Sequence, residues 1–220
     1  KNLKGTEIIF YPDEEIFKNV SFIPKKLYNF IQMKSVLVAG TSISFEIDKG
    51  LISDNTPNKS LFYYKNGIKD FINEKSLKNA KIFERDFEIK SKINENEYID
   101  VYFSFNIDQK SSFLSFCNTI STPDGGSHEY GIKSGILKSI KLFGQKNQFS
   151  KISNIQINDI IDYSDIIISI FISEPSFEGQ TKKRIIMPAL QKKLEVIIQN
   201  EFLTWLNSNK KNSKILLNTL

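Results

Sequence analysis

The alternation of apolar and polar residues predicts a series of strands along this chain. Most of the segments alternate with a period of two, which is typical of strands that bury one face. Residues 166–172 are instead apolar at every position except Ser169, so they predict a central strand buried on both faces. The alternating or short apolar segments are residues 6–10, 41–47, 61–64, 83–92, 98–106 and 113–118.

Apolar residues spaced three and four apart predict helices between and after these strands. Ser127 is a suitable N-cap for the third helix, Ser213 for the last, and Pro188 suits the first turn of the fourth. The helical segments are residues 25–38, 68–74, 128–143, 188–206 and 214–220.

The order of these elements predicts an α/β fold with two layers, of the α+β kind. The consecutive strands over residues 83–118 favour antiparallel pairing, because sequential strands often become neighbours in a sheet. Each long helix has one apolar stripe, so the helices are expected to pack on one face of that sheet. The prediction is a mixed, largely antiparallel sheet with helices on one face.

Composition narrows the class of protein without identifying it. The 220 residues contain 30 Lys and Arg against 25 Asp and Glu, a mild basic excess that permits contact with nucleic acid or nucleotide. The single cysteine, Cys117, lies in an apolar segment, which favours an inert buried thiol in a reducing cytoplasm. One cysteine and one histidine make a zinc site implausible, no metal ligand is predicted, and no segment is long enough to predict a membrane span.

The most distinctive polar segment is the loop of residues 174–183, which follows the apolar strand. Pro175 and Gly179 interrupt regular structure on either side of Phe177, which is expected to anchor the loop in the core.

Beyond that anchor, Gln180, Thr181 and Lys182 offer an amide, a hydroxyl and an ammonium group in consecutive positions. Such a set suits a phosphate, which lysine binds as a point charge. A solvated polar loop is the alternative that the tripeptide leaves open.

The helix over residues 128–143 has a basic side. Lys133, Lys138 and Lys141 lie opposite its apolar stripe, so they could contact a phosphate backbone, or they could form an ordinary solvated face. His128, at the start of this helix, has no partner carboxylate that the sequence identifies, so a local hydrogen-bonding role is as open as a general-base role.

Two motifs resemble segments of the B subunits of bacterial type IIA topoisomerases. Residues 122–131, TPDGGSHEYG, are similar to their T-x-x-G-G-T-H-x-x-G segment, with Ser127 in place of the threonine. Residues 175–182, PSFEGQTK, are similar to their P-x-F-x-x-Q-T-K loop. Residues 5–13, GTEIIFYPD, and residues 62–69, FYYKNGIK, resemble two further family segments, and all four occur in the family's order.

Within that family, SFCNT at residues 115–119 and FLTWL at residues 202–206 look more like topoisomerase IV subunits than gyrase subunits. Besides Ser127, three positions depart from the family pattern, and one of them is Ile132, where the family has a phenylalanine. An asparagine expected near the end of the helix over residues 25–38 is missing, and Ile161 replaces an arginine expected before the central strand.

The resemblance implies a division of the chain into two parts. Residues 1–50 would be the last strand, helix and strand of a GHKL-type ATPase domain, and residues 51–220 a transducer domain with a ribosomal-protein-like fold. By the same resemblance, Lys182 would contact the γ-phosphate of ATP and act in catalysis, with Gln180 beside it. Thr6 would lie at the adenine end of the pocket, and Mg²⁺ would accompany ATP in the full subunit.

The resemblance also implies an ATP-hydrolysing DNA topoisomerase that works in the cytoplasm with DNA, an A subunit and a second B subunit. The family's catalytic glutamate and its DNA-cleaving metal cluster would lie outside residues 1–220, so this polypeptide alone is expected to be inactive. Two alternatives remain: a nucleic-acid-binding module without ATP coupling, and another GHKL machine such as a mismatch-repair protein or a chaperone.

Overall fold

A computed structural model describes residues 4–18, 20–76, 80–108 and 111–220. In chain order the strands are β1 (Ser42–Glu46), β2 (Lys59–Tyr63), β3 (Phe87–Lys92), β4 (Tyr98–Phe105), β5 (Ser112–Cys117), β6 (Ile120–Ser121) and β7 (Ser164–Phe171). The helices are α1 (Pro24–Leu37), α2 (Ile68–Ser76), α3 (Ser127–Lys146), α4 (Ile157–Asp162), α5 (Pro188–Ser208) and α6 (Lys210–Thr219).

The main sheet has five strands in the order β3-β4-β7-β5-β6. Its pairs are antiparallel except β5 with β7, which are parallel because α3 crosses over between them. The predicted mixed, largely antiparallel sheet is therefore confirmed. Within this sheet β7 lies between β4 and β5, so β5 does not pair with β4, the strand that precedes it in the sequence.

The apolar side chains of the sheet pack on both of its faces. On one face, Ile166, Ile168 and Ile170 of β7 join a core that α3 and α5 cover. On the other face, Ile167 and Tyr102 pack in a second cluster with α1, the β1–β2 pair and α2. The predicted central strand, β7, is thus buried on both sides, which explains why apolar residues follow one another in it without the usual alternation.

Helices α3 and α5 pack closely because glycines line their contact. A Cβ atom at Gly131 would lie 2.5 Å from the carbonyl oxygen of Gln191, and one at Gly135 would lie 2.7 Å from that of Glu195. The two long helices therefore form one rigid layer over the sheet.

Three local predictions were wrong. Residues 6–10 form no strand, and Ile8 and Ile9 are 81% and 72% exposed, because no described strand pairs with this segment. Ser213 lies inside α6 and donates to the carbonyl of Leu206, so it is no cap. The Ser127 hydroxyl accepts a hydrogen bond from Met187 rather than from an amide of its own helix.

The predicted division at residue 50 stays a prediction. Residue 50 lies between β1 and β2, which are antiparallel partners.

Candidate functional site

The loop that carries Gln180, Thr181 and Lys182 is the tip of a short hairpin. Its two arms are joined by backbone hydrogen bonds from Glu178 to Arg184 and from Ile186 to Ser176, both 2.9 Å long. Phe177 lies opposite Ile185 in this hairpin and packs, partly buried, against the main core. The predicted anchor role of Phe177 is therefore confirmed.

The returning arm of the hairpin is held by the start of α3. The Asp124 amide donates to the carbonyl of Lys183 at 3.1 Å, and the Ser127 amide donates to the carbonyl of Ile185 at 2.9 Å. The amide of Ile185 in turn donates to the carbonyl of Gly125 at 3.1 Å. We call these backbone bonds, together with the Ser127 side chain, the clamp.

The Ser127 side chain completes the clamp. Its hydroxyl oxygen accepts a hydrogen bond of 2.8 Å from the amide of Met187, the residue immediately before α5. The two motifs that lie far apart in the sequence are thus one structural unit, which joins the loop to the first turns of both long helices.

A buried polar cluster lies next to the clamp. The Nε2 atom of His128 is within hydrogen-bonding distance of the hydroxyls of Ser115 and Thr122, the latter at 3.1 Å. His128 is fully buried, and this burial, reinforced by the charge of Lys133, lowers its pKa to about 4. A neutral imidazole with hydroxyl partners is a structural support, and this geometry favours the local hydrogen-bonding role over a general base.

The loop tip presents its polar side chains to solvent. Gln180, Thr181 and Lys182 are exposed, and within the described ranges none of their side chains has a hydrogen-bond or ion-pair partner. Lys182 adopts a left-handed backbone conformation, with φ of 55°, and its amide donates to Gly179 at 3.4 Å. The carboxylate of Glu178, beside the tip, pairs with Arg184 at 3.5 Å. This set of free donors on a held backbone fits an anionic group such as a phosphate.

Thr6 is not part of this assembly. It lies in the exposed segment 4–10, and no hydrogen bond within the described part of the chain joins it to the loop. The structure therefore brings Gln180 and Lys182 together on one loop tip, and the assignment of Thr6 stays a prediction.

The comparisons with known proteins identify the family. A family model described as DNA gyrase B matches residues 67–220, well over half of the chain. The chain belongs to the DNA gyrase B family.

Other members of the gyrase B family match nearly the whole chain. The B subunit of DNA topoisomerase 4 from Rickettsia bellii is 37% identical over 218 residues, covering 96% of this chain. The chain spans 32% of that relative's length, so it corresponds to about a third of such a protein. The name of this relative agrees with the preference for topoisomerase IV that residues 115–119 and 202–206 indicated.

Solved structures of the family share the fold. The topoisomerase IV ATP binding domain of Francisella tularensis, in complex with a small molecule inhibitor, superimposes with a TM-score of 0.75 at 25% identity. The match covers 94% of this chain and 55% of the Francisella chain. The gyrase B-subunit of Myxococcus xanthus, at 15% identity, shows the same fold with a TM-score of 0.82. That match covers 100% of this chain and 70% of the Myxococcus chain.

The basic side of α3 in this gyrase B family chain is largely engaged by other groups. Lys133 pairs with Glu129 at 2.9 Å and lies 4.2 Å from the ring centre of Phe113. Lys138 pairs with Glu195 on α5, and the ammonium of Lys141 lies 3.5 Å from the carbonyl oxygen of Ser153. The assignment of Lys133, Lys138 and Lys141 as DNA-facing residues stays a prediction.

Sequence reasoning missed one part of the site. Asn118 and Thr119 have φ values of 48° and 64° and form the two-residue turn between β5 and β6. The Asn118 side chain bonds the backbone of Ile172, at the start of the loop segment. An asparagine between two apolar strand segments is the signal that could have indicated this turn.

Neither a metal centre nor a membrane span was found in the described part of the chain. No group of His, Cys, Asp and Glu residues there could hold a metal ion, and no helix there is long and apolar enough to cross a bilayer. Cys117 is fully buried, and this burial raises the pKa of its thiol to about 12, as expected for an unreactive core cysteine.

Proposed function

We propose that this chain is the transducer region of an ATP-dependent type II DNA topoisomerase B subunit, preceded by the end of its ATPase domain over residues 1–50. The transducer, residues 51–220, would couple ATP binding and hydrolysis to dimer gate closure and DNA strand passage. The observation that carries this proposal is the loop geometry. Among the described residues the Lys182 side chain has no partner, while the clamp holds the following residues, Lys183 and Ile185, to the start of α3.

In this proposal Lys182 contacts the terminal phosphate of ATP, with Gln180 as a second donor and Thr6 at the adenine end. ATP, with Mg²⁺, supplies the phosphoryl group whose charge Lys182 stabilises during hydrolysis. An ammonium group aimed at that charge stabilises the transition state more than the ground state.

The clamp explains how such a contact could become a movement. Because Ser127 begins α3 and holds the residue before α5, a displacement of the loop is passed to both helices. Those helices pack as one rigid layer, so the layer would turn as a body when the phosphate is bound or lost.

The partners proposed for the full subunit are DNA, the topoisomerase A subunit and a second B subunit, in the cytoplasm. Lys133, Lys138 and Lys141 would border the cavity that admits DNA. In the alternative, a nucleic-acid-binding module without ATP coupling, this basic side of α3 would matter and the Lys182 loop would not.

The test is Lys182→Ala in the full subunit, compared with Lys183→Ala on the neighbouring exposed residue. Removing a donor to transition-state charge should lower ATP turnover by about 10²- to 10³-fold. ATP affinity should fall much less, while Lys183→Ala should change turnover by no more than about threefold.

A control for phosphate sensing uses ADP. Lys182→Ala should weaken binding of a non-hydrolysable ATP analogue and leave ADP affinity unchanged. Normal turnover in Lys182→Ala, or an equal loss in Lys183→Ala, would remove the proposed role.

A further inference from the structure

A polar bridge joins α1 to the start of the Lys182 loop. The ammonium group of Lys34 donates to the carbonyl oxygen of Thr119 at 2.7 Å and to its hydroxyl at 2.9 Å. The adjacent residue, Asn118, continues the bridge through its side chain. Its Nδ2 atom donates to the carbonyl oxygen of Ile172 at 2.8 Å, and its Oδ1 atom accepts from the backbone amide of Ile172 at 2.9 Å. Ile172 is buried and lies two residues before the first residue of the loop, Glu174.

The turn formed by Asn118 and Thr119, which connects Lys34 to Ile172 in this bridge, is fixed to the sheet. The backbone amide of Asn118 donates to the carbonyl of Ile170 at 2.9 Å, so its side chain extends the β5–β7 ladder to Ile172. Both turn residues have left-handed backbones, which an asparagine tolerates and which leave the turn little freedom.

The Lys34 end of the bridge is also held in place. Its ammonium lies 5.0 Å from the ring centre of Phe30, and its side chain is half-buried. Burial lowers the pKa of Lys34, and the hydrogen bonds to Thr119 compensate for the lost water. The Lys34 ammonium group is therefore held by two oxygen atoms of Thr119, which is a residue of the turn.

We propose that Lys34 and Asn118 are positioning residues that link α1 to the Lys182 loop. The inference rests on the proposed function, because it assigns α1 to the ATPase side and Lys182 to the sensing of phosphate. A shift of α1 would move Thr119 through Lys34, and Asn118 would pass that shift to Ile172. The bridge would then position the end of the loop that follows β7, while the clamp positions the returning arm.

The direct test is amide hydrogen exchange at Ile172 in the full subunit. Lys34→Met keeps the aliphatic stem and removes the charge, and it should speed exchange at Ile172 about tenfold, the effect of losing one charge-assisted hydrogen bond. Lys34→Arg should restore slow exchange. Lys26→Met, an exposed lysine on the same helix, is the matched control and should leave exchange unchanged.

A second variant tests the other half of the bridge. Asn118→Gly accommodates the left-handed φ and removes the side-chain amide, so it separates the loss of the bridge from backbone strain. It should also speed exchange at Ile172.

Turnover decides whether the bridge positions Lys182. Both Lys34→Met and Asn118→Gly should lower ATP turnover about tenfold while nucleotide affinity changes less than about twofold, the pattern of lost transition-state contact. Unchanged exchange or unchanged turnover in both variants would overturn the inference. If Lys182→Ala, measured in parallel, also keeps full turnover, it is the proposed function that fails. If only Lys182→Ala loses turnover, the bridge alone is wrong.

Discussion

The carbonyl oxygen of Ile185 lies where a side chain at residue 126 would have to stand. A Cβ atom on Gly126 would be 2.2 Å from that oxygen and 2.5 Å from the amide nitrogen of the same residue. Gly126 also has a φ of 130°, which L side chains rarely adopt. This close approach lets the start of α3 bond the arm of the lysine loop, backbone to backbone.

Gly126→Ala should therefore disrupt the clamp. The added methyl group meets backbone atoms that cannot rotate away, so we expect a loss of about 3 kcal/mol or more in the free energy of unfolding. Urea denaturation of the chain measures it.

Gly179→Ala is the matched control for this change. Gly179 also has a positive φ, of 77°, but no atom lies within 4 Å of the position that a Cβ atom would take there. Its substitution should cost only the backbone strain, about 1–2 kcal/mol. Equal losses in the two variants would show that close packing of Ile185 on Gly126 is unimportant.

Ser127→Ala should leave the Met187 amide without its acceptor. Because Ser127 is buried, we expect a loss of about 1–3 kcal/mol in the free energy of unfolding. Ser127→Thr keeps the hydroxyl and should retain most of that stability. A chemical denaturation series on the three proteins checks the order, and equal stability of the alanine and serine forms would contradict it.

The stability of the chain should fall as the pH drops below 6.5. His128 has a folded-state pKa of about 4, below its ordinary 6.5, so folding favours the neutral ring. Its contribution is fully present above pH 6.5 and is lost progressively as the pH falls towards 4. For a pKa shift of this size, the free energy of unfolding that is lost is on the order of 3 kcal/mol.

The control for this pH dependence is His128→Gln, whose amide can reach the position of Nε2. The chain has a single histidine, so the slope of unfolding free energy between pH 6.5 and 5 should flatten in this variant. A slope that is identical in both proteins would assign the effect to carboxyl groups instead.

The DNA-facing prediction can be tested through Lys138, which pairs with Glu195. If Lys133, Lys138 and Lys141 contact phosphates, replacing each with Gln in the full subunit should reduce the salt dependence of DNA binding by about one unit of slope per lysine. Glu195→Gln frees Lys138 and should tighten DNA binding at low salt. A slope that none of these changes alters would exclude a DNA contact by this side of α3.

Local sequence patterns were sufficient to predict most of the elements. The isoleucine-rich sequence of β7, the apolar stripe of α5 and the proline at its first turn each reflect burial or backbone geometry within one segment. The strand predicted over residues 6–10 and the cap predicted at Ser213 were wrong, although the helix predicted over residues 214–220 corresponds to part of α6. Whether a strand pairs, or a serine caps, depends on groups that lie elsewhere in the chain.

The amino-acid sequence by itself determined the element types, the family resemblance and the identity of Lys182 as the candidate phosphate ligand. The tertiary structure decided that β7 lies between β4 and β5, and that Gly126 packs on Ile185. It also decided that the Asn118 side chain reaches Ile172. Periodicity records only which side of an element is buried, whereas the partner that buries it is set by the packing of the whole chain.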